Sequence, residues 1–536
     1  MNQSSYTPKL RPCQIEGAKA IYDLKKVILG DDMGFGKCAE TIYAKRLIES
    51  RLKKDIPALI ICPPAVTPHW NGEINKWYKK RDGSEINVNT IKTNTFDEDL
   101  NKIIDQTPDF ALIGYSTLSS LGKEPEKVKK VIEAGFQYAI LDEAHNAKNP
   151  EALRSGTARE IIQPMEYLAI TSGTIIPNTV IDIYSQLNLL DPHQFPIETN
   201  SSNELLRRFE YQFNKNPSFI KEVIHEKMIR RSSEEYLDGN GGSQKKFPKL
   251  ISGVINVQLK GEHNEVYQQI YENDSLQANQ KLIQLRYASL DPNLVDPSLL
   301  SSNLAKKIGS LESDVYTAID NKLEEKIDNN EKVILFSDLK NGSSGNPVRR
   351  SIVETLKERY QKYGTEIISG DVSADNHNGE DSEREEIRKR FQNDDNCKIL
   401  ISTSVMNEGV DLTAATSGIH LTIPYTSSIF NQKNKRFQRI GEKDKEFAYS
   451  YIINPKLENG LPTINEGIKQ QLDDKEKIID FLLNCPEMLD KDEWKQITNG
   501  NITKNKSMPL YLTSSIKNLR NHFASKTGKG HKAISG

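Results

Sequence analysis

The sequence predicts an α/β protein of two lobes, each a doubly wound parallel sheet, with helical insertions and a C-terminal extension. Three observations carry that expectation. From residue 26 to about 190, short apolar runs alternate with amphipathic stretches, the pattern of parallel strands linked by crossover helices. From about 195 to 330 the chain reads as polar and helical, broken by Asp238-Gly239-Asn240-Gly241-Gly242-Ser243, a flexible loop by composition. A second strand–helix alternation then begins at Lys332. At 536 residues the chain is too long for one core, so the lobes are placed at 1–236 and 237–455, the second with a helical connecting segment at 249–330. Residues 456–536 form the extension, with a basic tail.

Composition narrows the choice of function. A formal charge of −2, with 27% charged residues, gives no global field that advertises a nucleic-acid partner, so local patches must hold one. The cysteines Cys13, Cys38, Cys62, Cys397 and Cys485 form no Cys-x-x-Cys pair, which argues against a zinc site and a disulfide framework and suits a reducing interior. No N-terminal signal pattern and no apolar run of membrane length is visible, so a soluble, cytoplasmic protein is expected.

A helix begins within residues 10–18, and its Gln14 offers both a donor and an acceptor to an adenine edge; a solvated helix residue is the plain alternative. Next, Val27-Ile28-Leu29 reads as a buried strand, and Asp31-Asp32-Met33-Gly34-Phe35-Gly36-Lys37-Cys38 as a glycine-spaced loop opening a helix. Gly34 and Gly36 permit a tight turn whose N–H groups point at phosphate oxygens. The helix start adds its positive dipole end, and Lys37 reaches toward β- and γ-phosphates. Taken alone, Gly-x-Gly-Lys also fits an ordinary glycine turn beside a surface lysine.

A second strand is expected at 58–62, stopped by Pro63 and Pro64, with Trp70 and Trp77 following as core anchors. A third, at 110–115, is expected to end in a Ser/Thr turn. The fourth is Tyr138-Ala139-Ile140-Leu141, followed by Asp142-Glu143-Ala144-His145. Two adjacent carboxylates at the carboxyl end of a buried strand sit where open α/β sheets place their ligands. Asp142 is suited to hold Mg²⁺ and Glu143 to orient or deprotonate an attacking water. Packing does not explain such a pair, because two unpaired buried carboxylates cost several kcal/mol. A fifth strand at 167–170 leads to Thr171-Ser172-Gly173-Thr174, whose hydroxyls can couple a nucleotide site to a bound backbone.

In the second half, strands are expected at 332–337, 366–370 and 398–403. If residues 432–441 are helical, Gln432, Arg436 and Arg439 fall on one face and can deliver charge to a γ-phosphate. Residues 471–493 read as an acid-rich helix. From Trp494 to Gly536 there is no Asp or Glu while Lys and Arg recur, a composition that fits either a nucleic-acid-binding arm or a disordered terminus.

These motifs, in this order across residues 8–455, resemble the Swi/Snf-type double-stranded DNA translocases of helicase superfamily two. Residues 10–17 are similar to the family's glutamine motif, 31–37 to its nucleotide loop, 60–70 to its Cys-Pro … Trp segment, and 142–145 to its DEAH box. Ser172-Gly173-Thr174 is similar to its coupling motif. Arg230-Arg231, Phe247-Pro248-Lys249 and Val266-Tyr267 resemble its stretch between lobes. Ser369-Gly370-Asp371, Arg384 and Phe391 match second-lobe landmarks, and 436–441 resembles its arginine-finger motif.

The resemblance implies two RecA-like lobes and a nucleic-acid-dependent ATPase that uses ATP and Mg²⁺ and moves on double-stranded DNA without separating its strands. It implies nucleotide contacts from Gln14, Asp32, Met33, Gly34, Phe35, Gly36, Lys37, Cys38, Gly409 and Asp411, metal contacts from Cys38 and Asp142, and catalytic roles for Lys37, Glu143, Arg436 and Arg439. A monomeric motor is expected. Because the chain opens almost at the first motif, so is a recruiting protein supplied in trans.

Four departures from the family pattern stand out: Cys38 stands for Thr or Ser, Ile175 for proline, Tyr425-Thr426-Ser427 for Trp-Asn-Pro, and Glu442 for glutamine. Two alternatives stand beside the translocase: a strand-separating DNA or RNA helicase, and a weak or inactive ATPase serving as a nucleic-acid-binding subunit. Cys38 alone favours the last.

Overall fold

The computed structural model describes residues 10–483 apart from 33, 150, 174, 177–180, 197–208, 210, 212–216, 232–247, 347–350, 370–371, 373–382, 404–411 and 439–444. The chain divides into two compact units, with the main break between residues 243 and 244. Each carries one sheet in which every described strand pair is parallel.

The first sheet is formed by β1 (Lys26–Leu29), β2 (Ala58–Cys62), β3 (Val88–Ile91), β4 (Phe110–Gly114), β5 (Tyr138–Asp142), β6 (Tyr167–Thr171) and β7 (Met228–Ile229), in the order β3-β4-β2-β5-β6-β1-β7. Parallel neighbours need crossovers, and helices supply them, so both faces are covered and the strands read as nearly continuous apolar runs. All five residues of β2 are buried. Two of these helices frame the nucleotide-loop region, α1 (Pro12–Leu24) before β1 and α2 (Lys37–Leu52) after it, while α3 (Thr67–Trp77) follows β2. One face of the core gathers Trp70, Tyr78, Phe110 and Tyr138 around Val27, Leu29 and Ile60. Residues 115–117, expected as a turn, instead open the helix Tyr115–Leu121 directly from β4.

The second sheet is formed by β8 (Lys249–Gln258), β9 (Val333–Phe336), β10 (Thr365–Ile368), β11 (Ile399–Ser402), β12 (Ser417–His420) and β13 (Phe447–Lys456), in the order β10-β11-β9-β12-β13-β8. Alternate β9 residues enter different cores: Val333 and Leu335 join one, Ile334 and Phe336 the other. That two-sided burial is why 333–336 is uniformly apolar. β8 corrects the helical expectation for 249–258. All ten of its residues pair with β13, but most are exposed, so it lacks the apolar run that marks a buried strand.

Candidate nucleotide site

β1 ends at Leu29, and the chain turns through a loop into α2. Gly34 (φ 90°) and Gly36 (φ 87°) both lie in the left-handed region, which L side chains rarely adopt. A Cβ on Gly36 would run into the side-chain nitrogen of Gln14. Gln14 lies buried beneath the loop: its Nε2 donates to Phe35 O (3.0 Å), and its Oε1 accepts from Arg11 N (2.9 Å). One amide hydrogen and one lone pair remain for a base edge. Phe35 is fully buried, so what it can offer a nucleotide is backbone. Lys37 Nζ donates to the carbonyls of Asp31 (2.7 Å) and Asp32 (3.2 Å), holding the ammonium over the turn with one hydrogen to spare. Met33 lies outside the described residues.

The acidic pair stands at the same carboxyl edge of the sheet, at the end of β5. Asp142 is held at both oxygens. Oδ1 accepts from Thr171 Oγ1 (2.8 Å) and from Glu143 N (3.0 Å), while Oδ2 accepts from Trp70 Nε1 (2.9 Å). Burial and the neighbouring Glu143 charge raise the Asp142 carboxyl; the bonds from Trp70 and Thr171 and the charge of Lys37 oppose that rise. The Tyr115 hydroxyl donates to Asp142 O (2.9 Å). Glu143 takes a left-handed backbone (φ 49°, ψ 51°), the kind of unfavourable conformation that persists only where neighbours enforce it. Its carbonyl accepts from Asn146 N (2.9 Å) and Asn146 Nδ2 (3.0 Å), and its Oε2 lies 3.2 Å from His145 Nδ1.

Cys38 occupies the first turn of α2, and burial, Asp142 and Glu73 hold its thiol well above its ordinary value. The donor set therefore fits a magnesium ion unevenly. Oδ2 of Asp142 accepts only the Trp70 bond of those above, leaving a lone pair for a hard cation or its water, whereas a neutral thiol is a weak ligand. Among the described residues no three or more His, Cys, Asp and Glu side chains gather to hold a metal.

Around this site the sequence reading named Asp31, Arg231 and Trp70 but not the contacts they make, and it did not single out Glu40. Asp31, fully buried, accepts from both the backbone N (2.8 Å) and Nε (3.1 Å) of Arg231. Arg231 also meets Glu40, which burial and Asp31 push up to about 8 against the opposing charges of Arg231 and Lys37. Burial alone would work against the guanidinium's charge, but Asp31 and Glu40 more than restore it. Gly17 was the available clue: a Cβ there would strike Glu40. Trp70, expected as a core anchor, is fully buried and also fixes Asp142.

In the second unit, Gln432 and Arg436 are buried on the helix Ser427–Phe437. The condition that residues 432–441 are helical holds as far as Phe437, where the helix ends. Gln438 leaves helical geometry (φ −81°, ψ 57°), and its side chain donates to Pro248 O (3.0 Å). Arg439, Gly409 and Asp411 lie outside the described residues, as does the tail from 494.

A family model described as the SNF2-related domain matches residues 13–301, and one described as the helicase conserved C-terminal domain matches 314–441. The chain belongs to the SNF2-related family. The first-unit site residues from Gln14 to Arg231 fall inside that SNF2-related match, and Gly409, Asp411, Arg436 and Arg439 fall inside the helicase C-terminal one. Among SNF2 relatives, an uncharacterized ATP-dependent helicase of Mycoplasma pneumoniae is 26% identical over 90% of this chain and 43% of its own length. SWI/SNF-related matrix-associated actin-dependent regulator of chromatin subfamily A-like protein 1 of Xenopus laevis is 23% identical over 86% of this chain and 43% of its own. The chain thus spans under half the length of these curated relatives. A solved structure described as the Sulfolobus solfataricus SWI2/SNF2 ATPase core in complex with dsDNA is 21% identical, covering 93% of this chain and 98% of its own, with a TM-score of 0.40.

Proposed function

We propose that this chain is an ATP-driven motor that tracks along double-stranded DNA and displaces or remodels what is bound there. The observation that carries the reading is the convergence of the Gly34–Gly36 turn, Lys37, Asp142 and Glu143 at one carboxyl edge of a parallel sheet, within a chain of the SNF2-related family. That constellation suits hydrolysis of a nucleoside triphosphate. Lys37, leaving the loop carbonyls, pairs with the β- and γ-phosphates. Glu143 orients the water that attacks the γ-phosphorus and receives its proton as the bond to the bridging oxygen breaks. Arg436 and Arg439 supply positive charge to the transferring phosphoryl group, and Gln14, Gly409 and Asp411 contribute to nucleotide contact.

Mg²⁺, when bound, neutralises charge on the β- and γ-phosphates. Asp142 would hold it, directly or through water, with Cys38 as a weak neighbour. The raised thiol is also the one observation that favours a second reading, a feeble ATPase acting as a nucleic-acid-binding subunit. The lobes are assigned to 1–236 and 237–455. A cytoplasmic or nucleoid-associated setting suits the free thiols of Cys13, Cys38, Cys62 and Cys397. Among the described residues no helix is long and apolar enough to cross a membrane. A monomeric motor recruited by a partner in trans completes the proposal.

ATP turnover measured with and without duplex DNA tests it. A motor shows DNA-stimulated hydrolysis and releases the third strand of a triplex; turnover indifferent to duplex would overturn the reading, and unwinding of a forked duplex would shift it to a helicase.

A further inference from the structure

We propose that Arg231 is a positioning residue for the nucleotide loop, setting its affinity for ATP by fixing the backbone of Asp31 and Asp32. The inference rests on the reading that ATP binds this loop. Immediately after β7, residues 230–231 zip onto residues 30–32. Arg230 Nη1 donates to Gly30 O (2.7 Å), Arg231 N to Asp31 Oδ1 (2.8 Å), and Asp32 N to Arg231 O (3.1 Å). The Arg231 guanidinium then joins its own segment to three others. Nε lies 3.1 Å from each Asp31 oxygen, Nη2 meets Asp31 and, at 3.1 Å, Glu40 of α2, and Nη1 donates to Cys13 O of α1. Gly17, also on α1, leaves room for this cluster, because a Cβ there would strike Glu40 and come within 3.0 Å of Arg231 Nη2.

The consequence runs to Lys37. Its ammonium rests on the carbonyls of Asp31 and Asp32, the residues that Arg231 fixes through a side chain and a peptide N–H. The turn is therefore held twice, by Arg231 through the Asp31 side chain and the Asp32 N–H and by Lys37 through the two carbonyls. Remove the guanidinium, and a fully buried Asp31 carboxylate loses its principal partner and must reorganise the turn that carries the phosphate-facing N–H groups. Lysine cannot substitute. It keeps the charge but lacks the rigid fork that reaches Asp31, Glu40 and the Cys13 carbonyl together. None of this places Arg231 on the reacting phosphate.

The test compares full-length wild type, Arg231→Lys, Arg231→Ala, Asp31→Asn and Lys37→Ala for displacement of a fluorescent ATP analogue and for steady-state ATPase on duplex DNA. Misplacing a positioning constellation by about 1 Å can cost on the order of a hundredfold. Arg231→Lys and Asp31→Asn should raise the KM and dissociation constant for ATP at least about tenfold while kcat at saturating ATP stays within about threefold. An arginine serving stability alone would lower the unfolding temperature and the fraction of active enzyme, which reads as a fall in kcat with KM untouched. Arg231→Lys or, where it folds, Arg231→Ala retaining the wild-type KM would therefore overturn the proposal. Should Lys37→Ala bind the analogue as well as wild type does, the ATP reading itself fails, and that outcome is distinct from the first.

Discussion

A thiol at position 38 changes what the first turn of α2 can offer a hard cation. Cys38 is kept neutral by burial and by Asp142 and Glu73, and neutral sulfur is a poor partner for an ion that wants oxygen at about 2.0–2.1 Å. Cys38→Thr should therefore raise ATPase at limiting magnesium, and wild type should tolerate the softer Mn²⁺ better than the variant does. Unchanged magnesium dependence would show the thiol to be an adequate replacement and would remove the support for an inactive subunit. A second residue makes a stability prediction. His420 is fully buried against Phe336, its ring nitrogen 2.8 Å from Asn434 Oδ1, and burial with the Lys433 charge lowers it to about 3. An unfolded histidine titrates near 6.5. Between pH 3 and 6.5 the unfolded chain takes a proton that the folded one refuses, so this contribution is intact above pH 6.5 and is lost as the pH falls. At about 1.4 kcal/mol per pH unit, wild type should lose about 2 kcal/mol from pH 7 to 5 through this group, measured by urea unfolding. His420→Gln should lose correspondingly less; equal acid sensitivity would exclude His420 as the cause.

Elements differ in how far local sequence determines them. The loop between β1 and α2 is legible because the two left-handed positions among its described residues are glycines, and Gly36 also lies against Gln14. Gly36→Ala combines a backbone penalty of about 1–2 kcal/mol with displacement of Gln14, so nucleotide binding should fall sharply while far-ultraviolet circular dichroism stays native. Retained affinity would mean that the loop tolerates another shape. Strands buried on both faces, such as β2 and β9, announce themselves as apolar runs. β12 (Ser417–His420) does not. Its Gly418 serves the close approach of Phe437 and Phe336, an approach visible only once the sheet has formed. β8 is mostly exposed and is defined by its ladder to β13, a partner about 200 residues away, so no local pattern marks it. The acidic pair was legible by type and place; the left-handed backbone of Glu143 was not.

At the scale of the whole molecule, the SNF2-related match spans the first sheet and continues to residue 301, past the start of the second unit, and the helicase C-terminal match covers 314–441. On the proposed reading, Arg436 and Arg439 lend charge to the transferring phosphoryl group. An arginine in that role is worth on the order of 10³–10⁵ in rate. Arg439→Ala should accordingly abolish DNA-stimulated turnover while leaving ATP affinity largely intact. Retention of more than about a tenth of the rate would remove Arg439 from the role.

The sequence by itself determined the two-lobed parallel architecture, the glycine turn with Lys37, the Asp142–Glu143 pair and the family resemblance, because each is written in adjacent residues whose chemistry suits few other roles. Tertiary structure alone decided what those residues rest on. Arg231 finds Asp31 across 200 positions, Trp70 finds Asp142 across 72, and Thr171 finds it across 29. The physical reason is the parallel sheet. Its register aligns Leu29 with both Thr171 and Ile229, and Asp142 with Thr171, gathering at one carboxyl edge the ends of strands that are remote along the chain.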